Sequence, residues 1–336
     1  MEMSWRSRAE CIITDHDRLT REEALAFLQE DETEILGQLN AAYQIRYYYY
    51  KNEVKLNSLI NIKSGLCPEN CGYCSQSKDS AAVIPKYKIL SKEEIVEGAR
   101  KADARGAGTY CIVASGRGPA KKELAVVMEA VKEIKATTGL KLCACLGLLE
   151  TEQAEALHAS GVDRYNHNIN TSSRFHESVV TTHTFKDRTD TIHAVKQAGI
   201  SPCSGIIAGM GETEEDIVDM LFSLRDMDAD SVPINFLHAI DGTAFEGRDL
   251  LTPLRCLQIA ALARFILPTK EIRIAGGREE KLRSLQPMAL YAANSVFLGD
   301  YLTTKGQEWE KDIAFIKDAG FRVEASAYNR SAEMYS

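Results

Sequence analysis

The chain of 336 residues has no apolar run approaching about 20 residues, the length that a helix needs to cross a bilayer, so no membrane span is expected. It also has no long basic run, and its net charge is −8. A nucleic-acid partner would call for a basic face, so none is expected. Met1 to Glu10 is charged and lacks an apolar core, which gives no secretory signal and an expected cytoplasmic location. Cys67, Cys71 and Cys74 have no fourth cysteine close by; the next is Cys111, and no second Cys-x-x-Cys and no His-x-x-x-His follows. That weighs against structural zinc, which closes four ligands, and against a ferredoxin-type cluster with a fourth cysteine nearby. What the chain does have is nine cysteines. With no secretory signal they point to a reducing compartment and to thiols used as ligands, not to a disulfide scaffold.

The three cysteines lie in Cys67-Pro68-Glu69-Asn70-Cys71-Gly72-Tyr73-Cys74. Gly65, Pro68 and Gly72 break helix and strand, so the stretch is a loop that can wrap around a ligand. Three thiolates on one tight loop can hold three irons of a 4Fe–4S cube. The fourth iron is then open, as catalytic metal sites require.

From Thr20 to Lys51 the pattern is helical, with Thr20 and Glu23 forming a capping box before Ala24, Leu25, Phe27 and Leu28. The tyrosines Tyr47 to Tyr50 are expected on an amphipathic helix packed on the main body, and no function is assigned before about residue 57. Short apolar, β-favouring runs then recur at 58–63, 108–115, 141–147, 164–170, 201–208, 231–238, 271–276 and 293–299. Ser91 with Glu94 and Thr213 with Asp216 mark helix starts, while Gly106, Gly139, Gly161 and Gly199 mark helix ends. The expected fold is α/β, a (β/α)8 TIM-type barrel with an N-terminal helical extension. Its divisions are 1–56 for the extension, 57–304 for the barrel, and 305–336 for a C-terminal helix and tail. An open barrel of six units is the shorter alternative, but all eight runs are visible.

In a parallel barrel the strand interiors are normally apolar and branched, and active sites lie at the C-terminal ends of the strands. Here Cys111, Cys143, Cys145 and Cys203 fall on strands. Each alone reads as a small buried hydrophobe, but several converging on one axis would form a second metal site. Alternation does not separate Cys143 from Cys145, which face the same way. Cys256 reads as packing and Cys11 fits nothing. Asn166, Asn168 and Asn170 share a face by the period of two, which turns His167 outward towards the helices. Buried amides need partners, and a ligand with ureido, carboxylate or ribose groups supplies them; Asn235 is similar. Arg273 in a barrel interior needs an anion, either a thiolate-bound cluster or a buried carboxylate. Arg278 is expected on the surface or in a loop.

The spacing Cys-x-x-x-Cys-x-aromatic-Cys, with Tyr73 at the aromatic position, resembles the signature of the radical S-adenosylmethionine (SAM) superfamily. The longer stretch Ser64 to Gln76 resembles the biotin synthase family, and the resemblance runs from about Leu56 to Thr304. It implies a 4Fe–4S cluster on Cys67, Cys71 and Cys74, whose open iron chelates SAM for cleavage to a 5′-deoxyadenosyl radical. It also implies a 2Fe–2S cluster on Cys111, Cys143, Cys203 and Arg273, with Cys143 preferred for its spacing to Leu146-Gly147. Sulfur from that cluster would be inserted into dethiobiotin. Tyr73, Asn168, Asn170 and Ile206 would lie on SAM, and Asn168, Asn235, Phe297 and Thr303 on the substrate. Where family members often carry aspartate, this chain has Asn170. Gly205 to Glu212 resembles the superfamily's Gly-x-Ile-x-Gly-x-x-Glu, whose apolar middle packs on adenine. A flavodoxin or ferredoxin donor and a homodimer complete what the resemblance implies.

Overall fold

A computed structural model describes residues 3–324; residues 325–336 of the expected tail lie outside the described residues. Three helices come first: α1 (Trp5–Thr14), α2 (Arg21–Gln29) and α3 (Ile35–Tyr50). The barrel follows as β1 (Glu53–Lys63), α4 (Lys92–Ala104), β2 (Thr109–Ala114), α5 (Lys121–Thr137), β3 (Lys141–Cys145), α6 (Thr151–Ser160) and β4 (Arg164–Asn166). It continues with α7 (Phe185–Gln197), β5 (Ser201–Cys203), β6 (Ile206–Ala208), α8 (Glu214–Asp226), β7 (Ser231–Phe236) and α9 (Pro253–Ile266). Then come β8 (Glu271–Ile274), α10 (Arg278–Leu282), β9 (Ser295–Phe297), α11 (Trp309–Asp318) and β10 (Arg322–Val323).

The paired barrel strands are all parallel, and the sheet closes where β1 meets β9. β5 and β6 are two halves of one stave, since both pair with β7, through Cys203↔Ser231 and Ile206↔Ile234. The barrel therefore has eight staves, as expected. The stave breaks at Ser204-Gly205 because a Cβ on Gly205 would lie 1.9 Å from the Pro233 carbonyl oxygen, an approach that only glycine allows. β10 pairs with the start of β1, outside the barrel ladder.

The capping boxes at Thr20/Glu23, Ser91/Glu94 and Thr213/Asp216 all form. Gly106, Gly161 and Gly199 take the left-handed conformation after their helices. Gly139 does not; α5 ends instead on an extended Thr138. The N-terminal helices pack their apolar faces on α9, with Trp5, Phe27 and Phe265 meeting edge to face or tilted. Tyr50 donates to the Thr269 carbonyl at 2.7 Å, while Tyr47 and Tyr48 stay exposed. The tyrosine run is therefore a packed surface and does not line the cavity described below. No helix among the described residues is long and apolar enough to cross a membrane.

Two expectations about strand ends change. The fourth strand stops at Asn166, not at 170. Past it the Asn168 side chain takes the Gly205 N–H at 3.0 Å, an amide substituting for ladder pairing. Asn170 then turns into the left-handed region at φ +64° and rejoins the sheet through an isolated bridge to Ile206. Arg278 is 1 % exposed rather than a surface residue. Helix α11 covers it and supplies Asp312, itself fully buried, at 2.8 Å.

Candidate active site

A cavity of about 410 Å³ opens at the C-terminal ends of the strands. Cys67, Cys71 and Cys74 line it from the loop after β1; Cys111 and Arg273 line it from strands deeper in the barrel. Tyr73, Asn168, Asn170, Asn235, Phe297 and Thr303 line it too.

The cysteine loop has no regular structure and is held from outside. The Glu69 carboxylate accepts from Thr182 Oγ1 at 2.5 Å, His183 Nδ1 at 2.5 Å and Arg117 Nη1 at 3.1 Å. Asn70 Oδ1 accepts from the N–H groups of Thr181 and Thr182, and the Gly72 N–H donates to the Val179 carbonyl. Burial pushes the Glu69 carboxyl up, but its donors Thr182, His183 and Arg117 more than offset this and leave it below the usual range. Burial holds the Cys67 and Cys71 thiols up; burial and then the neighbouring Cys71 push Cys74 to about 12. Three neighbouring thiols with raised pKa values, one buried and two half-buried, ionise only when a cation compensates them, so the set fits a metal cluster.

The second set is placed by strand register. Cys111 pairs with Cys143 across β2 and β3, and Asn166 pairs with Cys203 across β4 and β5. The Cys143 thiol neighbours those of Cys111 and Cys203, and Arg273 lies close enough to act on it electrostatically. Cys111 first, then burial, raise the Cys143 thiol well above its ordinary value, and Cys143 first, then burial, raise Cys203; Arg273 opposes both. Cys143 and Cys203 are each 1 % exposed, behind Cys111. Arg273 donates from Nε to Ser295 Oγ at 3.2 Å, and from Nη2 to Ser231 Oγ at 3.0 Å and Glu271 Oε1 at 2.6 Å. The two alternatives for this arginine thus coexist: it pairs with a buried carboxylate and also faces the thiol set. Among the described residues no three His, Cys, Asp or Glu side chains converge tightly enough for a single metal ion.

The amides are partly spent. Asn235 Oδ1 accepts from the Gly276 N–H and its Nδ2 donates to the Ile206 carbonyl, both at 3.0 Å. Each end keeps one further site for a ligand. Asn170 Nδ2 donates to the Tyr73 hydroxyl at 2.5 Å, joining the loop to the barrel. Thr303 Oγ1 and Ser75 Oγ lie 2.8 Å apart, and the Arg273 guanidinium sits 5.0 Å over the Phe297 ring.

Several sequence expectations move. Ile206 is fully buried and does not reach the cavity; its neighbour Ile207 does, because alternation turns every second residue inward. His167 also lines the cavity instead of facing the helices, since β4 has already ended there. Its Nε2 has no hydrogen-bond partner among the described residues, and burial, then Arg188, push its pKa well down. Cys145 lines the cavity without joining the trio, with burial pushing its thiol to about 12. Arg188 on α7 was not foreseen: it is buried, lines the cavity, donates from Nη1 to the Asn168 carbonyl at 2.8 Å, and leaves Nε unpartnered. One arginine in a polar helix carries no sequence signal. Glu271 was also missed, although its place two residues before Arg273 on a strand puts both on one face.

Comparison with known proteins adds the lineage. Residues 61–224 match the family described as the Radical SAM superfamily, and residues 233–322 match the Biotin and Thiamin Synthesis associated domain. A Biotin synthase of Halalkalibacterium halodurans is 57 % identical over 96 % of this chain and 97 % of its own length. A Biotin synthase of Geobacillus thermodenitrificans is 58 % identical over the same shares, 96 % and 97 %. Methylornithine synthase superposes with a TM-score of 0.83 at 19 % identity, over 96 % of this chain and 99 % of that one. The FeFe-hydrogenase maturase HydG of Carboxydothermus hydrogenoformans superposes at 0.80 with 18 % identity, over 95 % and 79 %. At such identities the likeness to these two structures is one of fold.

Proposed function

The chain belongs to the biotin synthase family of radical SAM enzymes, and we propose on that premise that the cavity at the strand ends serves two different iron–sulfur clusters. It is an enzyme of biotin synthesis. In this reading Cys67, Cys71 and Cys74 hold a 4Fe–4S cluster, and Cys111, Cys143, Cys203 and Arg273 hold a 2Fe–2S cluster. The substrate is dethiobiotin, bound with SAM in the space between them. When bound, the first cluster supplies the electron that cleaves SAM to a radical oxidant, and the second supplies sulfur for the thiophane ring.

The observation that carries the reading is that the three loop thiols line one cavity together with Cys111 and Arg273 from the strands, with Cys143 and Cys203 buried behind Cys111. The chain's own residues then have these tasks. Asn168 and Asn235, already fixed by backbone partners, turn their remaining amide sites to a ureido ring. Asn170 and Tyr73 form the wall nearest the SAM ribose and methionyl groups. Arg188 adds a buried cation suited to a carboxylate. The enclosing barrel keeps water from a reactive intermediate. A flavodoxin or ferredoxin as donor, a homodimer and a cytoplasmic location belong to the same reading.

The test is anaerobic reconstitution followed by ultraviolet–visible and Mössbauer spectroscopy, with the second cluster rebuilt from heavy sulfide and natural sulfide left in solution. Two cluster types and heavy first-turnover biotin are expected. A single cluster type, or biotin carrying only light sulfur, would overturn the reading.

A further inference from the structure

Glu271 lies at the centre of a buried polar network within the barrel. It is 3 % exposed, in a layer that such barrels usually fill with apolar side chains. Its Oε1 accepts from Arg273 Nη2 at 2.6 Å, Ser295 Oγ at 3.0 Å and Ser231 Oγ at 3.2 Å. Its Oε2 accepts from Arg164 Nη1 at 2.8 Å, with Lys55 Nζ 3.5 Å away. Strand register brings these groups together, through Ser231↔Glu271 and Arg273↔Ser295. Ion pairs buried this deeply are rarely the cheapest way to fill a core. The two serines bridge the carboxylate and the guanidinium, so the arrangement is a bracket around Arg273 more than a simple pair.

The bracket has a direction. Nε and Nη2 of Arg273 are spent on Ser295, Ser231 and Glu271. Nη1 has no hydrogen-bond partner among the described residues, and Arg273 lines the cavity beside Cys111. The free edge is therefore the one turned to the thiol set.

We propose that Glu271 is a positioning residue for the second cluster: it locks the guanidinium of Arg273 so that only the Nη1 edge meets the iron site, and it offsets part of the local positive charge. Arg164 and Lys55 hold that carboxylate in place from its other oxygen. The proposal rests on the reading that Cys111, Cys143, Cys203 and Arg273 hold a 2Fe–2S cluster.

The test uses the reconstituted full-length protein with three variants, Glu271→Gln, Arg164→Gln and Cys143→Ser. Glu271→Gln should keep the 4Fe–4S spectrum and SAM cleavage. It should change the 2Fe–2S spectrum and move that cluster's reduction potential positive, because a nearby negative charge is gone. Arg164→Gln should move the potential negative with Arg273 still bracketed. A 2Fe–2S spectrum and potential identical to the parent in Glu271→Gln, with only thermal stability lowered, would make Glu271 merely structural and overturn the proposal. If Glu271→Gln fails to fold, Arg164→Gln decides: an unmoved potential overturns the proposal. Persistence of the 2Fe–2S signal in Cys143→Ser would instead refute the underlying reading of the cluster's ligands.

Discussion

Cys67, Cys71 and Cys74 fall within eight consecutive residues, whereas Cys111, Cys143, Cys203 and Arg273 come from four separate strands. The loop set has no ladder of its own. It depends on a few side chains and carbonyls between Val179 and His183 that grip Glu69, Asn70 and Gly72. The strand set depends mainly on pairing between strands. It exists because β2 and β3 pair in the register that opposes Cys111 to Cys143, and because β8 carries Glu271 two residues before Arg273. A motif in sequence therefore yields a site that can be loosened without disturbing the fold. A site made by register cannot be moved without moving the barrel.

The largest effects come from removing a thiol. Cys71→Ala should abolish SAM cleavage while leaving the 2Fe–2S spectrum, because three thiolates are the least that hold a cube with one open iron. Production of 5′-deoxyadenosine by this variant would break the division between the two sites. Cys143→Ser should lose or distort the 2Fe–2S spectrum, and Cys145→Ser should keep both clusters. What separates them is register and burial: Cys143 lies opposite Cys111 and is buried like Cys203, while Cys145 lies opposite Val113 and lines the cavity. Reversed behaviour of the two variants would shift the strand site by two residues.

The same contrast explains what could be read from the sequence. The loop motif and all eight staves were legible, since spacing and apolar period are local signals. Cys111, Cys143, Cys203 and Arg273 were legible only as a set of polar residues in the wrong place for a barrel core. Ile206 against Ile207 was not, because the resemblance supplies Ile206, whereas the period of two puts Ile207 on the inward face with Cys203. His167 lines the cavity because period-two alternation does not extend past Asn166, where the strand ends. Arg278 was misplaced because Asp312, its buried partner, arrives from a helix far along the chain.

An intermediate effect tests how the loop is gripped. Glu69→Ala leaves Thr182, His183 and Arg117 without their acceptor, at a cost of about 1–3 kcal/mol. The 4Fe–4S absorbance should bleach faster in air than in the parent, with the 2Fe–2S band unchanged. Equal acceleration of both would show that the loop is not an independent unit.

Acidification should act on both regions. Burial first, then Arg188, holds His167 on the barrel side and His183 on the loop side below the ordinary histidine value. A histidine kept neutral in the fold binds fewer protons than the unfolded chain below its unfolded pKa of about 6.5. Stability should therefore be full above that pH and fall as pH drops towards the folded values. Denaturant unfolding at pH 7 and pH 5 measures this. His167→Gln should flatten the dependence more than His183→Gln, because His167 is pushed further down and has no carboxylate partner, while Glu69 raises His183. A dependence unchanged in both variants would place the titrating groups elsewhere.

The smallest effect belongs to the seam between the regions. Asn170 sits at φ +64°, bridges to Ile206 and donates to Tyr73 within the cysteine loop. Asparagine and aspartate both tolerate this conformation, and Tyr73 can donate to a carboxylate as readily as it accepts from an amide. Asn170→Asp should therefore change stability by less than about 0.5 kcal/mol. Asn170→Gly keeps the backbone but loses the bond, for about 1 kcal/mol. Asn170→Ala loses the bond and adds left-handed strain, for about 2–3 kcal/mol. Chemical denaturation of the three variants gives the order. If Asp proves as costly as Ala, the Asn170 amide is acting as an obligate donor to Tyr73, and the loop and barrel are joined through that one bond more tightly than the rest of their contacts imply.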